Sequence, residues 1–198
     1  MGLFKNYVSQ TRKPEGFLGK MMLGGMNSGH AKLADWGFTH LPEMLPESAV
    51  DLGCGGGRNA GELLKMYPKA HVTAVDYSEL SVEKAKDYNK AMIAAGRCEV
   101  LQGDVSDFQL PKETFDLATA FETIYFWPGL EKCFSQVTKV LKPGGYFMIH
   151  AALIREGICV TSDCCDYCIV GDKSPMAAEY ELKRADNGLL LSLRKESR

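Results

Sequence analysis

Apolar residues along the chain follow two alternating patterns. Short, almost continuous apolar runs predict buried strands at residues 48–52, 71–78, 99–102, 115–121 and 146–151. Between these runs lie longer segments whose apolar residues recur every three or four positions, which predicts amphipathic helices. Strands and helices in this alternation are typical of an α/β fold, with a doubly wound, mostly parallel sheet and helices on both faces.

The predicted helices have ordinary start and stop signals. Ser78 begins the helix predicted at residues 78–96, and Gly96 ends it. Pro68 follows the helix predicted at 59–66, and Pro128 begins the one at 128–141. An N-terminal segment also has helical spacing, but two adjacent glycines interrupt it, so we expect two helices there. The expected helical segments are residues 16–41 with a break, 59–66, 78–96 and 128–141.

The segment 152–198 does not continue this pattern. Ser174 and Pro175 followed by AAEYELKRADNG favour a capped helix that ends at Gly188, with LLLSL as one strand. The alternative is a hairpin, in which Asn187 and Gly188 form the turn between YELKRA and LLLSLRK. We expect the helix, and therefore expect the C-terminal strands of the sheet to be atypical or incomplete.

Composition and charge narrow the class of protein. The 198 residues are 45% hydrophobic and 24% charged, which fits a single globular domain, and no apolar run approaches the roughly 20 residues that cross a bilayer. The net charge is −2, with Lys and Arg dispersed along the chain, so a nucleic-acid partner is not expected. No secretion signal is recognisable at the N-terminus, so we expect a cytoplasmic protein.

The seven cysteines are an odd number and are expected to be reduced thiols. Four of them crowd the tail, where Cys165 and Cys168 form one C-x-x-C pair. Adjacent cysteines are awkward as ligands of one ion, and we therefore expect no metal site there. The tail cysteines are Cys159, Cys164, Cys165 and Cys168.

The stretch VDLGCGGGRN, residues 50–59, has four glycines in five positions directly after a predicted strand. A plain turn needs one or two glycines, so this loop favours a ligand that lies against the main chain. A dinucleotide fingerprint would need a third glycine where Arg58 stands, and that match fails. Asp76 ends the next strand about 20 residues later, where a carboxylate can accept both hydroxyls of a ribose. The pattern therefore indicates a nucleoside ligand.

Five motifs occur in order along the chain: VDLGCGGGRN at 50–59, VDYS at 75–78, LQGDVSDFQLP at 101–111, FDLATAFETIYFW at 115–127 and LKPGGYFMI at 141–149. Together they resemble the class I S-adenosylmethionine-dependent methyltransferases, of the type that acts on small molecules. The resemblance covers about half of the chain and implies S-adenosyl-L-methionine as cofactor, S-adenosyl-L-homocysteine as product and a small-molecule methyl acceptor. It divides the chain into a helical lid (1–45), a cofactor-binding core (46–151) and an atypical C-terminal segment (152–198).

The resemblance also implies roles for single residues. In the glycine loop, Gly53 and Gly55 would let the methionine portion lie on the main chain, Cys54 would contribute its backbone, and Asp51 would lie beneath. Asp76 would hold the ribose. Around the adenine and the sulfonium, the implied residues are Tyr77 packing on the base, Asp104 accepting from its amine, Val105 donating from its backbone, and Phe121 beside the sulfur.

The sequence says less about the residues that would contact the methyl acceptor, here called the acceptor side, than about those that would bind the cofactor. Candidates are Glu122, Tyr125 and Trp127 after the fourth strand, and Asn27 and His30 in the expected lid. An ordinary half-buried helix residue explains His30 slightly better than a base does. The tetrad (D/N)-P-P-(Y/F) of nucleic-acid methyltransferases is replaced by FETI, so base methylation is disfavoured.

Two other functions stay open at this point. One is a nicotinamide-dependent oxidoreductase, which Arg58 and the later motifs oppose. The other is a protein that binds S-adenosylmethionine without catalysis, which the unusual tail would suit. We expect a monomer or homodimer with no membrane partner.

Overall fold

A computed structural model describes residues 31–152, 179–185 and 188–194. Its centre is a seven-stranded sheet with the order β3-β2-β1-β4-β5-β7-β6. The first five strands are parallel, and β7 pairs antiparallel with both β5 and β6. The strands are β1 (Ser48–Leu52), β2 (His71–Asp76), β3 (Cys98–Gln102), β4 (Phe115–Phe121), β5 (Leu141–Ala152), β6 (Glu179–Ala185) and β7 (Gly188–Arg194).

Helices cover both faces of the sheet, as expected for this class of fold. Apolar residues of the central strands point alternately into two buried clusters, one under α1, α2 and α3 and the other under α5. The helices are α1 (Ala31–Phe38), α2 (Arg58–Met66), α3 (Glu79–Tyr88), α4 (Lys90–Ala94) and α5 (Leu130–Val140), with a short 3-10 helix at Ile124–Phe126. The α/β prediction is confirmed.

The single helix expected over residues 78–96 is instead two helices that meet at Asn89. The Asn89 side chain is buried, and its Nδ2 donates hydrogen bonds to the carbonyls of Ala85 at 3.1 Å and Gly57 at 2.9 Å. A side-chain amide that bonds backbone groups competes with the helix ladder, which explains the break. The same amide links this break to the loop after β1.

The tail contains a strand pair in place of the expected helix ending at Gly188. β6 and β7 form an antiparallel ladder from Glu179 opposite Arg194 to Ala185 opposite Gly188, as in the hairpin alternative. β7 also pairs with residues 146–152 of β5. The helix prediction is therefore wrong, and so is the expectation of an incomplete sheet. The alternation of YELKRA and LLLSLR suits a strand, and pairing with β5 satisfies a sheet edge that would otherwise be exposed.

Residues 1–30 and 153–178 lie outside the described residues, and the second range contains the tail cysteines Cys159, Cys164, Cys165 and Cys168. Among the described residues, no helix combines the length and the apolar character that crossing a membrane requires. The division of the chain into lid, core and tail stays a prediction.

Candidate functional site

The order of the sheet reverses between β1 and β4, whose carboxyl ends are neighbours. In open α/β sheets this reversal point forms the crevice in which ligands bind. The glycine-rich loop at residues 53–57 follows β1, and the segment from Glu122 onward follows β4. The loops that sequence analysis selected for chemistry therefore meet at one edge of the sheet.

Three glycines of the loop have left-handed backbones, and each meets a different environment. A Cβ at Gly53 (φ 74°) would overlap with the side chain of Thr123, and a Cβ at Gly57 (φ 80°) would lie 2.7 Å from Cα of Ala85. At Gly55 (φ 52°) it would meet no heavy atom of the described residues within 4 Å. Gly53 and Gly57 thus allow close packing, while the bare backbone of Gly55 faces open space.

Asp76 ties the glycine loop to the end of β2. Its Oδ2 accepts from the backbone N–H of Gly55 and its Oδ1 from that of Ser78, both at 2.9 Å. The backbone N–H groups of Gly53 and Cys54 donate to the carbonyl of Val75 at 2.7 and 3.0 Å. Burial raises the pKa of Asp76, although the two backbone hydrogen bonds oppose this shift. The carboxylate is therefore held rigidly at the carboxyl end of the sheet.

Asp51 lies in the middle of the sheet beneath this loop. Oγ1 of Thr119 donates to its Oδ1 at 2.9 Å, and its Oδ2 has no hydrogen-bond partner among the described residues. Burial raises the pKa of Asp51 to about 7. A buried carboxylate oxygen without a partner is costly unless a donor or a positive charge reaches it. The oxygen has almost no accessible surface, so Asp51 lies beneath the loop and supports it from below.

The other residues assigned to the cofactor lie along the same edge. Oδ1 of Asp104 accepts from the backbone N–H of Ser106 at 2.8 Å, in a turn that also contains the buried Val105. The β3 loop is joined to β2, because the N–H of Gly103 donates to the carbonyl of Asp76 at 3.0 Å. Tyr77, which directly follows Asp76 at the end of β2, is half-buried. Their predicted contacts with adenine stay predictions.

Cys54 is buried within the glycine loop. Burial raises the pKa of its thiol well above the ordinary value, and the nearby carboxylates of Asp76 and Asp51 act in the same direction. The thiol therefore stays protonated and is a poor nucleophile. Any contribution to ligand binding would come from its backbone, as the resemblance implies.

Residues after β4 were predicted to form the acceptor side, and this stays a prediction. Glu122 has a left-handed backbone (φ 56°), and its Oε1 lies 3.6 Å from Nδ1 of the fully buried His150. Trp127 stacks on Phe147 with ring centroids 6.2 Å apart, and its Nε1 donates to Oγ1 of Thr123 at 3.3 Å. Trp127 is thus committed to packing, and Tyr125 is half-buried beside it. Asn27 and His30 lie outside the described residues.

Helix α1 packs over the ends of β4 and β5. The ring of Phe38 lies 4.7 Å from that of Phe121, and Trp36 meets His150 edge-on at 5.7 Å. Asp35 forms an ion pair with Arg58 at the start of α2. The part of the expected lid that the structure describes therefore contacts Phe121, which the resemblance assigns to the sulfonium.

Sequence analysis did not select Thr119, Thr123, Asn89 or His150. All four are polar side chains in buried positions of regular elements or of the site loop. Such a position is a usable signal, because a buried polar group must have a partner. Within the described ranges, His, Cys, Asp and Glu side chains form no group of three or more that could hold a metal ion.

Comparison with known proteins identifies what this arrangement resembles. Residues 50–149 match the family model described as "Methyltransferase domain". "Sterol methyltransferase-like 2" of Botryococcus braunii is 35% identical over 107 residues, which are 54% of this chain and 27% of that protein. The chain thus spans little more than a quarter of the length of the curated relatives it matches.

Solved structures share the fold. A SAM-dependent methyltransferase from Aquifex aeolicus superposes with a TM-score of 0.68 at 18% identity, covering 88% of this chain and 97% of that chain. Geranyl diphosphate C-methyltransferase from Streptomyces coelicolor A3(2), in complex with Mg2+, geranyl diphosphate and S-adenosyl-L-homocysteine, gives 0.56 at 18% identity, covering 62% and 46%. At these identities the likeness extends to the fold alone.

Proposed function

Because the chain belongs to the methyltransferase domain family and has the class I S-adenosylmethionine-dependent methyltransferase fold, we propose that it transfers a methyl group from S-adenosyl-L-methionine to a small-molecule acceptor. The observation that carries this proposal is the pairing of Asp76 with the backbone of Gly55. It joins a ribose-binding acid to a main chain that a ligand can approach.

The described residues fit this cofactor. The open side of Gly55 suits a ligand chain lying on the backbone, and the buried Asp51 lies beneath the loop that would hold the methionine moiety. Asp76 would accept from the ribose hydroxyls. Asp104 and Val105 would hold the adenine amine and ring, with Tyr77 packing against the base.

The cofactor supplies a methyl group on a cationic sulfur, which becomes a neutral thioether when the methyl leaves. The protein's part is to orient the two reactants and to exclude water. Phe121 and the aromatic rings of α1 would exclude water from the reacting end. If the acceptor carries a proton that must leave, Glu122 is the described acid on that side, with Tyr125 beside it.

An apolar acceptor suits the site best. Phe38, Trp36 and Phe121 line the edge beyond β4, and they would favour an apolar surface over a charged one. The names of two of the similar proteins point the same way, since one is a sterol methyltransferase-like protein and another methylates geranyl diphosphate at carbon. A cytoplasmic location and a monomer or homodimer stay predictions.

The test is calorimetric titration of the full chain with S-adenosyl-L-methionine, S-adenosyl-L-homocysteine and NAD. We expect both adenosyl ligands to bind and NAD not to bind, and we expect Asp76→Asn to weaken both by about tenfold or more, because a charged acceptor of ribose hydrogen bonds is lost. Turnover is then measured with radiolabelled cofactor on a panel that includes sterols and prenyl diphosphates. Binding without turnover on any acceptor would favour the non-catalytic alternative, and NAD binding would favour the oxidoreductase.

A further inference from the structure

Glu122 and His150 are joined twice at the carboxyl edge of the sheet. The backbone N–H of Glu122 donates to the carbonyl of His150 at 2.8 Å, and Oε1 of Glu122 lies 3.6 Å from Nδ1 of the His150 ring. The first contact continues the β4 to β5 ladder one residue beyond Phe121, which is opposite His150. The second places an acid beside a buried imidazole.

The backbone of Glu122 is unusual for a residue with a side chain. Its φ of 56° is left-handed, a conformation that is unfavourable for a residue with a Cβ. Residues held in this way cluster at functional sites, because the surrounding structure must compensate for the cost. Here the compensation comes from His150 and from Thr123, which packs on Gly53 of the glycine loop.

The position of Glu122 follows from these neighbours. Glu122 directly follows Phe121, which the resemblance assigns to the sulfur, and precedes Thr123, which contacts Gly53 of the glycine loop. Its side chain is 14% exposed, whereas that of His150 is fully buried, so the carboxylate is the member of the pair that a ligand can reach. His150 is in turn held by the ring of Phe121 at 5.9 Å and by Trp36 of α1.

We propose that Glu122, oriented by His150, recognises the positive charge of the cofactor's sulfonium, and that His150 is its positioning residue. This inference rests on the proposed function. A carboxylate in a partly buried site attracts a nearby cation far more strongly than it would in water. The attraction is lost when the sulfur becomes neutral, so the pair would retain the methyl donor and release the spent product.

The test compares the affinities of S-adenosyl-L-methionine and S-adenosyl-L-homocysteine, which differ by one methyl group and one charge. Calorimetry on the full chain at neutral pH gives both dissociation constants for each variant. We expect Glu122→Gln, which keeps the shape and removes the charge, to weaken the cationic ligand about tenfold and to leave the neutral one within about twofold. Thermal unfolding by circular dichroism verifies that each variant is folded.

Two variants of His150 test the positioning role. His150→Leu fills the buried space without a polar atom, and we expect it to lower the preference for the cationic ligand by about threefold. His150→Asn can place an amide where Nδ1 lies, and we expect it to restore the preference. This pair also decides the inference if Glu122→Gln does not fold.

The matched control is Glu113→Gln. Glu113 is the other non-glycine residue with a positive φ among those described, and it lies at the opposite end of β4 and is exposed. It should change neither affinity. Equal weakening of both ligands by Glu122→Gln, or no change in either, would overturn the charge recognition. Absence of binding by the unsubstituted chain would overturn the proposed function, and this inference with it.

Discussion

Thr119 donates a hydrogen bond of 2.9 Å to Asp51 across the β1 and β4 strands, in a part of the sheet where neither side chain reaches solvent. The bond uses one carboxylate oxygen, and the other has no partner among the described residues. Hydrogen bonds therefore only partly offset the cost of burying the negative charge of Asp51, and burial raises its pKa to about 7. The ligand site thus contains an acid whose charge lowers the stability of the folded chain.

The pH dependence of unfolding should reveal this acid. The pKa of Asp51 in the folded chain, about 7, lies above its unfolded value near 3.8, so the folded state binds more protons between those pH values. Its contribution to the free energy of unfolding should fall as pH rises through this window, by up to about 1.4 kcal/mol per unit, and stay constant above it. Asp51→Asn should lose that slope.

Urea unfolding of the parent and Asp51→Asn between pH 4.5 and 8 measures the difference directly. Asp76 also has a raised pKa and interacts electrostatically with Asp51, so the difference measures the titration of Asp51 together with this interaction. A difference between the two proteins that does not change with pH would show that Asp51 titrates as an ordinary exposed acid.

Alanine at two glycines separates ligand approach from packing. Gly55→Ala meets no atom within 4 Å, so it should cost only the roughly 1–2 kcal/mol of a left-handed alanine but should block the bare backbone and weaken S-adenosyl-L-homocysteine at least about tenfold. Gly53→Ala would overlap Thr123 and should destabilise the chain more. Calorimetry and urea unfolding give the two quantities.

Gly96 provides the control for this comparison. It has a similar left-handed backbone (φ 68°), and a Cβ there also meets nothing within 4 Å, but it follows α4 away from the glycine loop. Gly96→Ala should match Gly55→Ala in stability and keep full affinity. An unchanged affinity in Gly55→Ala would remove the argument that the ligand lies on this loop.

Much of this arrangement could be predicted from the pattern of residues. Strand β4 was predicted with the observed bounds, and the glycine loop and Asp76 were placed at neighbouring strand ends, because buried parallel strands are continuous apolar runs with local signals. The secondary structure of the C-terminal segment was harder to predict. YELKRA has residues common in helices, and only its pairing with β7, which is in turn paired with β5, makes it a strand.

The site was predictable only in part for a similar reason. Residues that bind through a loop backbone have a motif, and Glu122 was a candidate from sequence, whereas its pairing with His150 depends on which strand ends become neighbours. Position 53 must be a glycine because the side chain of Thr123, in the loop after the neighbouring strand β4, occupies the space that a Cβ would need. The break of the predicted helix at Asn89 likewise reflects a bond to Gly57, 32 positions away in the chain. Tertiary contacts of this kind leave no periodic signal.

Asn89 should be important for stability although it lies outside the ligand site. Its amide donates to the carbonyls of Gly57 and Ala85 in a buried position, so Asn89→Ala should lower the free energy of unfolding by about 1–3 kcal/mol. Asn89→Asp should lower it further at neutral pH, because a carboxylate would face two carbonyl oxygens. Urea unfolding measures both, and equal stability of the two variants would contradict the donor role.

The three buried thiols within the described ranges should resist alkylation in the folded chain. Burial raises the pKa of Cys98 and of Cys133 to about 11, and that of Cys54 well above its ordinary value. At pH 8 only about one in a thousand such thiols with a pKa of 11 is a thiolate, which is the reactive form. Peptide mapping after iodoacetamide should find these three unmodified until urea is added. Rapid modification of Cys54 in the folded chain would show that the glycine loop opens.

Helix α1 should be held by its aromatic contacts more than by its ion pair. The side chain of Asp35 is 55% exposed, so a double-mutant cycle of Asp35→Asn and Arg58→Gln should give a coupling below about 1 kcal/mol, and less in high salt. Phe38 is buried against Phe121, and Phe38→Ala should cost about 3 kcal/mol. Urea unfolding with and without salt measures these values. A coupling larger than the cost of Phe38→Ala would mean that charge, not apolar packing, keeps α1 over the ligand site.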